Sequence, residues 1–528
     1  MRLSDIYSGR LNAAEWEARG YELPRFDIAS VARKTHDEPT WVHFGGGNIF
    51  RAFPAAILNE ALNTGRYDRG VIVAETFDYE IIDKAYAPYR NLSLLVSLQS
   101  SGTIEKKVIA SVTEALKADY QFDDWNRLSE IFRKPSLQMV SFTITEKGYT
   151  VTPSDLGKGL RPSLAMGKVA ALLLQRYDAG QLPLTLQSMD NCSHNGDKVR
   201  EGVMAYAARW VSDGLAPAGF LDYLNDGNKV TYPWSMIDKI TPRPHERVKE
   251  MLAQDGFEDN EYIETALHTF TAPFVNSEEV QYLVIEDDYT NGRPPLELGG
   301  TLYTTRETVD KVETMKVTTC LNPLHTAMAI YGCLLGYTLI SAEMADEDIR
   351  MFIQKIGYIE SMPVVTDPGV LNPYEFIGAV LNKRLPNPFM PDAPQRIACD
   401  TSQKLPIRFG ETVRKYIDRG LDMSSLQLIP LVFAGYARYL KGVKDDGAPF
   451  TPSPDPMLAE LQAIVAPLQV GKPDQDYGCL RQLYSRADIF GVNLYEAGLG
   501  QQVEGMVREL FSSYGAVRRT LHDYALRR

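Results

Sequence analysis

Apolar residues follow two different rhythms along this chain. Up to Gly300, short runs rich in β-branched and aromatic residues alternate with stretches at helical spacing. "TWVHF", followed by glycines and then by "NIFRAFPAAILNEAL", predicts a strand, a tight turn and a helix. "GVIVAE", "LSLLVSL", "KKVIASV" and "LQMVSFTIT" predict further strands, and "LTLQSMDN" predicts one more that runs into a polar loop. Between them lie helical stretches such as "DDWNRLSEIFRKP" and "PSLAMGKVAALLLQRYDAG", the second closed by Gly180. Alternation of this kind predicts an α/β fold with a mostly parallel sheet and helices on both faces.

Past the Pro/Gly-rich "NGRPPLELGG" the rhythm changes. From Val309 onward helical spacing dominates, in "HTAMAIYGCLLGYTLISAEMA", "DEDIRMFIQKIGYIESM", "PYEFIGAVLNKRL", "SLQLIPLVFAGYARYLKG", "PMLAELQAIVAPLQ" and "EGMVRELFSSYGAVRRTLHDYAL". A domain over 1–300 and a mainly α-helical domain over 301–528 are therefore expected. "KGVKDDGAPFTPSPDP" predicts an exposed loop. The longest uncharged stretch, Val317 to Ala342, contains Asn322, Pro323, His325 and Ser341, which suit a buried helix better than a membrane span.

Composition narrows the partners. With 44% hydrophobic and 23% charged residues, the chain has no basis for a collagen-like, coiled-coil or disordered reading. Its 55 Lys+Arg against 68 Asp+Glu, a net charge of −13, oppose a nucleic acid or an anionic membrane as partner. A small anionic substrate at a local cluster of cations is still allowed. The cysteines, Cys192, Cys320, Cys333, Cys399 and Cys479, are scattered without CxxC spacing, which predicts no disulfide framework and no metal site and fits a reducing cytoplasm. The first residues lack the apolar core of a signal peptide, so no export is expected. Nothing demands an oligomer, and a monomer is compatible with the sequence.

Three groups of residues carry candidate chemistry. Gly45 and Gly47 stand between strand and helix, where bare backbone can approach a pyrophosphate. A mere tight turn competes with that reading, because Phe50 occupies the third glycine of GxGxxG. Glu75, ending the second strand, is placed to accept hydrogen bonds from an adenosine ribose. With Asp78 and Glu80 it disfavours a 2′-phosphate, which predicts NAD rather than NADP, the alternative being a solvated acidic loop. Within "ETMKVTTCLNPLHTA", Lys316, Asn322 and His325 supply the base and the donors that metal-free dehydrogenation of an alcohol needs. Taken singly, His325 reads as a core histidine and Lys316 as a surface lysine. From Lys383 to Arg408 five cations (Lys383, Arg384, Arg396, Lys404, Arg408) stand against Asp392 and Asp400, which suits a carboxylate substrate or a solvated basic face.

Several stretches, in order, resemble one family. "VHFGGGNIFRAF" resembles a GxGxFxRA turn, "TITEKGY" is an almost complete motif match, and "SMDNCSHNG" resembles SCDNxxxNG. "MIDKITPRP", "VIEDDYTNGRPPLE" and "TMKVTTCLNPLH" resemble its MVDRITP, IED…RP and MKxxLLNxxH segments. The chain is identified as a member of the long-chain polyol dehydrogenase family, which includes mannitol 2-dehydrogenase and ketouronate reductases. The resemblance implies a Rossmann-type N-terminal domain, a mainly helical C-terminal domain, and metal-independent hydride transfer in the cleft between them. It places Gly45, Gly47, Asn48, Ile49, Phe50, Arg51, Glu75 and Asp78 at the cofactor. It makes Lys316 the general base, Asn191 and Asn322 the pair that stabilises the alkoxide, His325 a substrate-positioning donor and Glu146 a proton-relay carboxylate. Asp190, Arg396 and Lys404 match polar substrate contacts, although Asp190 and Asn191 also read as turn caps and Glu146 as structural.

One departure stands out. Five residues separate Lys316 from Asn322 where the family has four. On a regular helix, at about 100° per residue, the extra one swings Lys316 away from His325. A bulge, or a helix that begins only near Pro323, would absorb it. Otherwise Lys311 becomes a rival base. The expected activity is NAD-dependent interconversion of a ketouronate and an aldonate, D-fructuronate and D-mannonate or the tagaturonate equivalent. The alternatives are a neutral polyol 2-dehydrogenase acting on mannitol or arabinitol, an NAD-retaining sugar-acid epimerase, and a binding protein on a disused dehydrogenase scaffold.

Overall fold

Six strands form the framework of the N-terminal part: β1 Trp41–Phe44, β2 Val71–Glu75, β3 Val112–Lys117, β4 Met139–Phe142, β5 Leu184–Ser188 and β6 Val230–Thr231. All pair in parallel, in the spatial order β3-β2-β1-β4-β5-β6. This is the order of a dinucleotide-binding Rossmann sheet, whose topological switch lies between β1 and β4. Strands β1, β2, β4 and β5 are buried along their whole lengths, which explains their unbroken apolar runs. The computed structural model describes residues 1–7 and 11–526. It divides into two compact units, Met1–Asp310 and Lys311–Arg528.

Two predicted strands leave the parallel sheet. "LSLLVSL" and the first part of "KKVIASV" become Ser93–Leu98 and Ile104–Ile109, an antiparallel hairpin. It joins Tyr21–Glu22 and Phe274–Glu278 in a separate four-stranded sheet. The hairpin closes because Gly102 adopts φ +82 and its N–H donates to the Gln99 carbonyl at 2.9 Å. Ala110 and Ser111 then turn the chain back towards β3, held by Asn59 Oδ1 on the Ala110 N–H (2.9 Å) and by the Ser111 hydroxyl on the Ala55 carbonyl (2.6 Å). A third sheet, of Ser235–Asp238, Tyr282–Glu286 and Leu302–Thr304, has no counterpart among the predicted strands.

Helices of this unit include α1 Asn48–Ala52, α2 Pro54–Asn63, α3 Ala165–Asp178 and α4 Asn195–Ser212. Near the end of α3, Arg176 is wholly buried and clamps the bottom of the sheet. Its guanidinium donates to five carbonyls, those of Phe132, Lys134, Leu137, Leu182 and Pro183, at 2.7–3.1 Å.

The second unit is helical. Helix α5, Arg306–Met315, contains the Asp310/Lys311 division, and α6, Asn322–Leu335, is the buried helix expected from the uncharged stretch. Where one helix is predicted from His325 to Ala345, α6 stops at Gly336, in the left-handed region at φ +82, and a short helix follows at Ile340–Met344. The last predicted helix likewise divides into Gly500–Phe511 and Ala516–Leu526, with Gly515 between them. Every residue of α7, Leu428–Leu440, is buried. Its first N–H groups are satisfied by Glu360, which accepts from Gln427, Leu428 and Ile429 at 2.7–2.8 Å. The loop predicted at 441–456 is a loop, but a pinned one: buried Asp445 accepts from the N–H groups of Val517 and Arg518, capping the final helix. Among the described residues no helix is long and apolar enough to cross a membrane.

Arg176→Met is expected to strand several buried carbonyls without donors, at a cost of about 3 kcal/mol or more. Urea unfolding followed by tryptophan fluorescence checks this. A loss below about 1 kcal/mol would show that the five bonds are replaceable by water.

Candidate active site

At the end of β1 the chain turns on Gly45, at φ +107, whose N–H donates to the Ala74 carbonyl at 2.9 Å. A Cβ on Gly45 would lie 2.2 Å from the Thr143 carbonyl oxygen, so no other residue fits between β1 and β4. Gly46 donates to Glu75 Oε2 at 2.8 Å, and Gly47 precedes α1 with open space where a Cβ would point. The turn therefore presents bare backbone at the switch point of the sheet, the cradle that a pyrophosphate requires.

The side chains beyond Gly47 divide by direction. Ile49 is half-buried. Phe50, expected at the cofactor, is fully buried and stacks on His43 at 4.1 Å, because the first turn of α1 lies against the core side of β1. Arg51 is also inside. It donates to the Ala272 carbonyl and Asn48 Oδ1, each at 2.8 Å, and to the Thr271 hydroxyl, so that Asn48 and Arg51 staple α1 to Phe270–Ala272. These bonds tie the turn to the neighbouring strand.

Glu75 ends β2 with its carboxylate facing that turn. Oε1 accepts from the N–H groups of Thr76 (3.0 Å), Phe77 (2.9 Å) and Asp78 (3.4 Å). Asp78 points elsewhere: it is buried and accepts from the Thr265 hydroxyl at 2.5 Å. A cation within electrostatic reach of Glu75, Lys168, is buried and committed to Asp119 (2.8 Å), the Tyr79 hydroxyl (2.7 Å) and the Thr76 carbonyl (3.2 Å).

The ends of β4 and β5 meet through Asp190. Its carboxylate accepts from the N–H groups of Ile144 (2.9 Å) and Thr145 (3.0 Å) and from the Tyr149 hydroxyl (2.6 Å). Burial raises the pKa of both Asp190 and Tyr149. These bonds accompany Thr145 at φ +62 and engage the Asp190 carboxylate, expected at the substrate, with the backbone of that turn. The neighbouring Asn191 is exposed, as is Glu146, which pairs with Lys198 at 3.0 Å.

In the second unit the extra residue of the lysine segment is taken up in the backbone. Helix α5 ends at Met315, and Lys316–Cys320 forms a π turn in which the Leu321 N–H reaches back to the Lys316 carbonyl at 3.1 Å. Leu321, at φ −132, breaks the helix, and α6 restarts at Asn322 with Pro323 in its first turn. Lys316 is buried, at 5% exposure. Asn322 and His325 share that first turn. His325 Nε2 is buried without a hydrogen-bond partner. Burial pushes its pKa down to about 4, aided by Arg384, Arg408 and Arg396 and opposed by Asp392, so the imidazole is neutral at physiological pH.

The basic stretch is sorted by its partners. Arg396 is mostly exposed and ion-paired with Asp392. Lys404 donates to the carbonyls of Ile397 (3.0 Å) and Cys399. The structure thus engages both cations expected to read a carboxylate within their own segment. Arg384 is buried at 2% exposure. Arg408 donates from one amino group to the Thr326 hydroxyl and to the Asn322 carbonyl (3.4 Å). The sequence shows Arg384 and Arg408 as two charges among five; the burial of the one and the bonds of the other to α6 are tertiary facts that no spacing reveals.

Comparison with known proteins agrees with this arrangement. The mannitol dehydrogenase Rossmann domain matches residues 39–298, and the mannitol dehydrogenase C-terminal domain matches residues 308–504. The chain is 50% identical over 524 residues to D-mannonate oxidoreductase of Thermotoga maritima, covering 97% of each chain. It is 30% identical over 444 residues to mannitol 2-dehydrogenase of Phaeosphaeria nodorum, covering 80% of this chain and 72% of that one. Its fold superposes on Pseudomonas fluorescens mannitol 2-dehydrogenase, solved as a ternary complex with NAD and D-mannitol, with TM-score 0.67, 25% identity and 99% of each chain covered. With both of its units matched, one as a Rossmann domain and one as the helical partner, the chain belongs to the mannitol dehydrogenase family.

Proposed function

We propose that this chain is an NAD-dependent oxidoreductase that interconverts D-fructuronate and D-mannonate. The observation that carries the chemistry is the π turn at Lys316–Cys320 followed by a fresh helix at Asn322. It takes the extra residue out of the helical count, so that Lys316 can act with Asn322 and His325 despite the longer spacing. The substrate follows from the 50% identity, over nearly the whole length, to a D-mannonate oxidoreductase.

The residues present fit a dinucleotide: the bare turn at Gly45–Gly47 receives the pyrophosphate, and Glu75 accepts from the adenosine ribose. When bound, the nicotinamide supplies the hydride for reduction or takes it in oxidation. The side chains handle the proton and the charge on oxygen. In reduction the Lys316 ammonium gives a proton to the substrate oxygen, and in oxidation its neutral amine removes the hydroxyl proton. The amides of Asn322 and Asn191 donate to that oxygen as negative charge develops on it. Neutral His325 donates to or accepts from a neighbouring hydroxyl and fixes the sugar's orientation. Glu146, which matches the family's glutamate in "TITEKGY", is assigned the relay of that proton to solvent.

An NADH oxidation screen across fructuronate, tagaturonate, fructose and xylulose tests the reading. Fructuronate is expected to give stoichiometric NAD. Preference for fructose moves the chain to the neutral polyol dehydrogenases, and product without net cofactor turnover makes it an epimerase.

NADH is expected to bind at least about tenfold more tightly than NADPH, since a 2′-phosphate would meet Glu75 while Lys168 is buried and already paired. Fluorescence titration reads this directly, and equal affinities would remove the ribose role of Glu75.

Lys316→Ala is expected to lower turnover by about a hundredfold or more with NADH affinity nearly unchanged, whereas Lys311→Ala does far less. Steady-state rates of the two variants decide it. The reverse order would make Lys311 the base.

A further inference from the structure

A cation partly withdrawn from water beside a site, with only neutral acceptors on it, is still able to take an anion. Arg408 is such a group: it is partly buried and bonded to the first turn of α6. Burial lowers its pKa to about 10, yet it remains cationic at neutral pH. Among the described residues no carboxylate lies within ion-pair distance of it, and its hydrogen bonds go to two neutral oxygens, the Thr326 hydroxyl and the Asn322 carbonyl. Those bonds fix it on the first turn of α6, beside Asn322 and His325. Two neighbours in the basic stretch are engaged away from α6: Arg396 pairs with Asp392, and Lys404 donates to the Ile397 and Cys399 carbonyls.

The backbone supports the same reading. Arg408 stands in a π turn, Pro406–Gly410, as Lys316 does in Lys316–Cys320. Such turns carry the cost of a poorer hydrogen-bond pattern and concentrate at functional sites. The Arg384 and Arg396 charges also lie within electrostatic reach of His325, opposed by Asp392. The first turn of α6 thus gathers neutral donors for a hydroxyl or carbonyl and an excess of positive charge.

We propose that Arg408 is the residue that reads the substrate's carboxylate, holding it by a charge-assisted hydrogen bond while Asn322 and His325 engage the oxygens nearer the reacting carbon. This rests on the uronate reading above and replaces Arg396 and Lys404 as its charge readers. Nothing is transferred at Arg408. It is a specificity-determining group, and its removal should appear in KM for the acid before it appears in kcat.

The test compares kcat/KM for D-mannonate and for D-mannitol in the wild type, Arg408→Gln, Arg408→Lys and Arg408→Ala, the last with and without added guanidinium chloride. Arg408→Gln is expected to lose about thirtyfold on mannonate, mainly in KM, and little on mannitol. Arg408→Lys should fall between, and guanidinium should restore mannonate activity selectively in Arg408→Ala. Should Arg408→Gln not fold, a selective loss on the acid in Arg408→Lys and in Thr326→Val, which removes the hydroxyl that orients the guanidinium, decides the question in its place. Equal losses on acid and polyol, or no loss on the acid, overturn the proposal. So does a fall in NADH affinity in Arg408→Gln, which would make the group a nucleotide phosphate contact. A wild type that does not prefer mannonate to mannitol fails the uronate reading itself, a different result from a wild type that prefers the acid with an indifferent Arg408.

Discussion

The lysine site depends on a backbone constraint: one residue too many between Lys316 and the helix that follows it. An α-helix cannot hold that residue and keep the register, because each added position rotates the chain by about 100°. Here the residue is taken up in the i→i+5 bond from the Leu321 N–H to the Lys316 carbonyl, and the helix then starts afresh at Asn322. Pro323 suits that restart, since at the first turn its missing N–H would have had no partner in any case. Lys316 is buried in that turn, and His325 Nε2 is buried without a partner in the next. An unpartnered buried nitrogen would be a liability in a protein selected for stability alone.

The first unit solves a different problem by similar means. Gly45 packs against the Thr143 carbonyl, and the residues after it hold Glu75 through Gly46. Asp190 ties the "TITEKGY" turn to the end of β5. Buried polar groups around the turn thus fix the backbone and leave bare peptide at the switch point. In both units the charged groups that look most like ligand contacts by motif are often the ones that build the frame.

That division marks what the sequence could tell. Strands β1, β2, β4 and β5 were legible because burial on both faces leaves unbroken apolar runs. The hairpin Ser93–Ile109 was legible as strands but not as a separate sheet, since periodicity names an extended segment without naming its partner. Breaks at Gly336 and Gly515 were hidden inside continuous helical spacing. The glycine turn, Glu75 and the Lys316, Asn322 and His325 set were legible as motifs. The inward direction of Phe50, Arg51 and Asp78 was not, because a motif gives spacing and not side-chain direction. Arg408 could not be picked out from its neighbours for a similar reason: its isolation from any acid is a property of packing.

Chemical rescue asks whether Lys316 moves the proton at the reacting oxygen. In the alanine variant at position 316, small primary amines added to the assay should fill the vacated space and restore oxidation of D-mannonate. The restored rate should rise with the basicity of the amine once its size is allowed for, as general base catalysis requires. Failure of every small amine to restore activity, in a variant that still binds NADH, would contradict the assignment and with it the role of the π turn in placing the base.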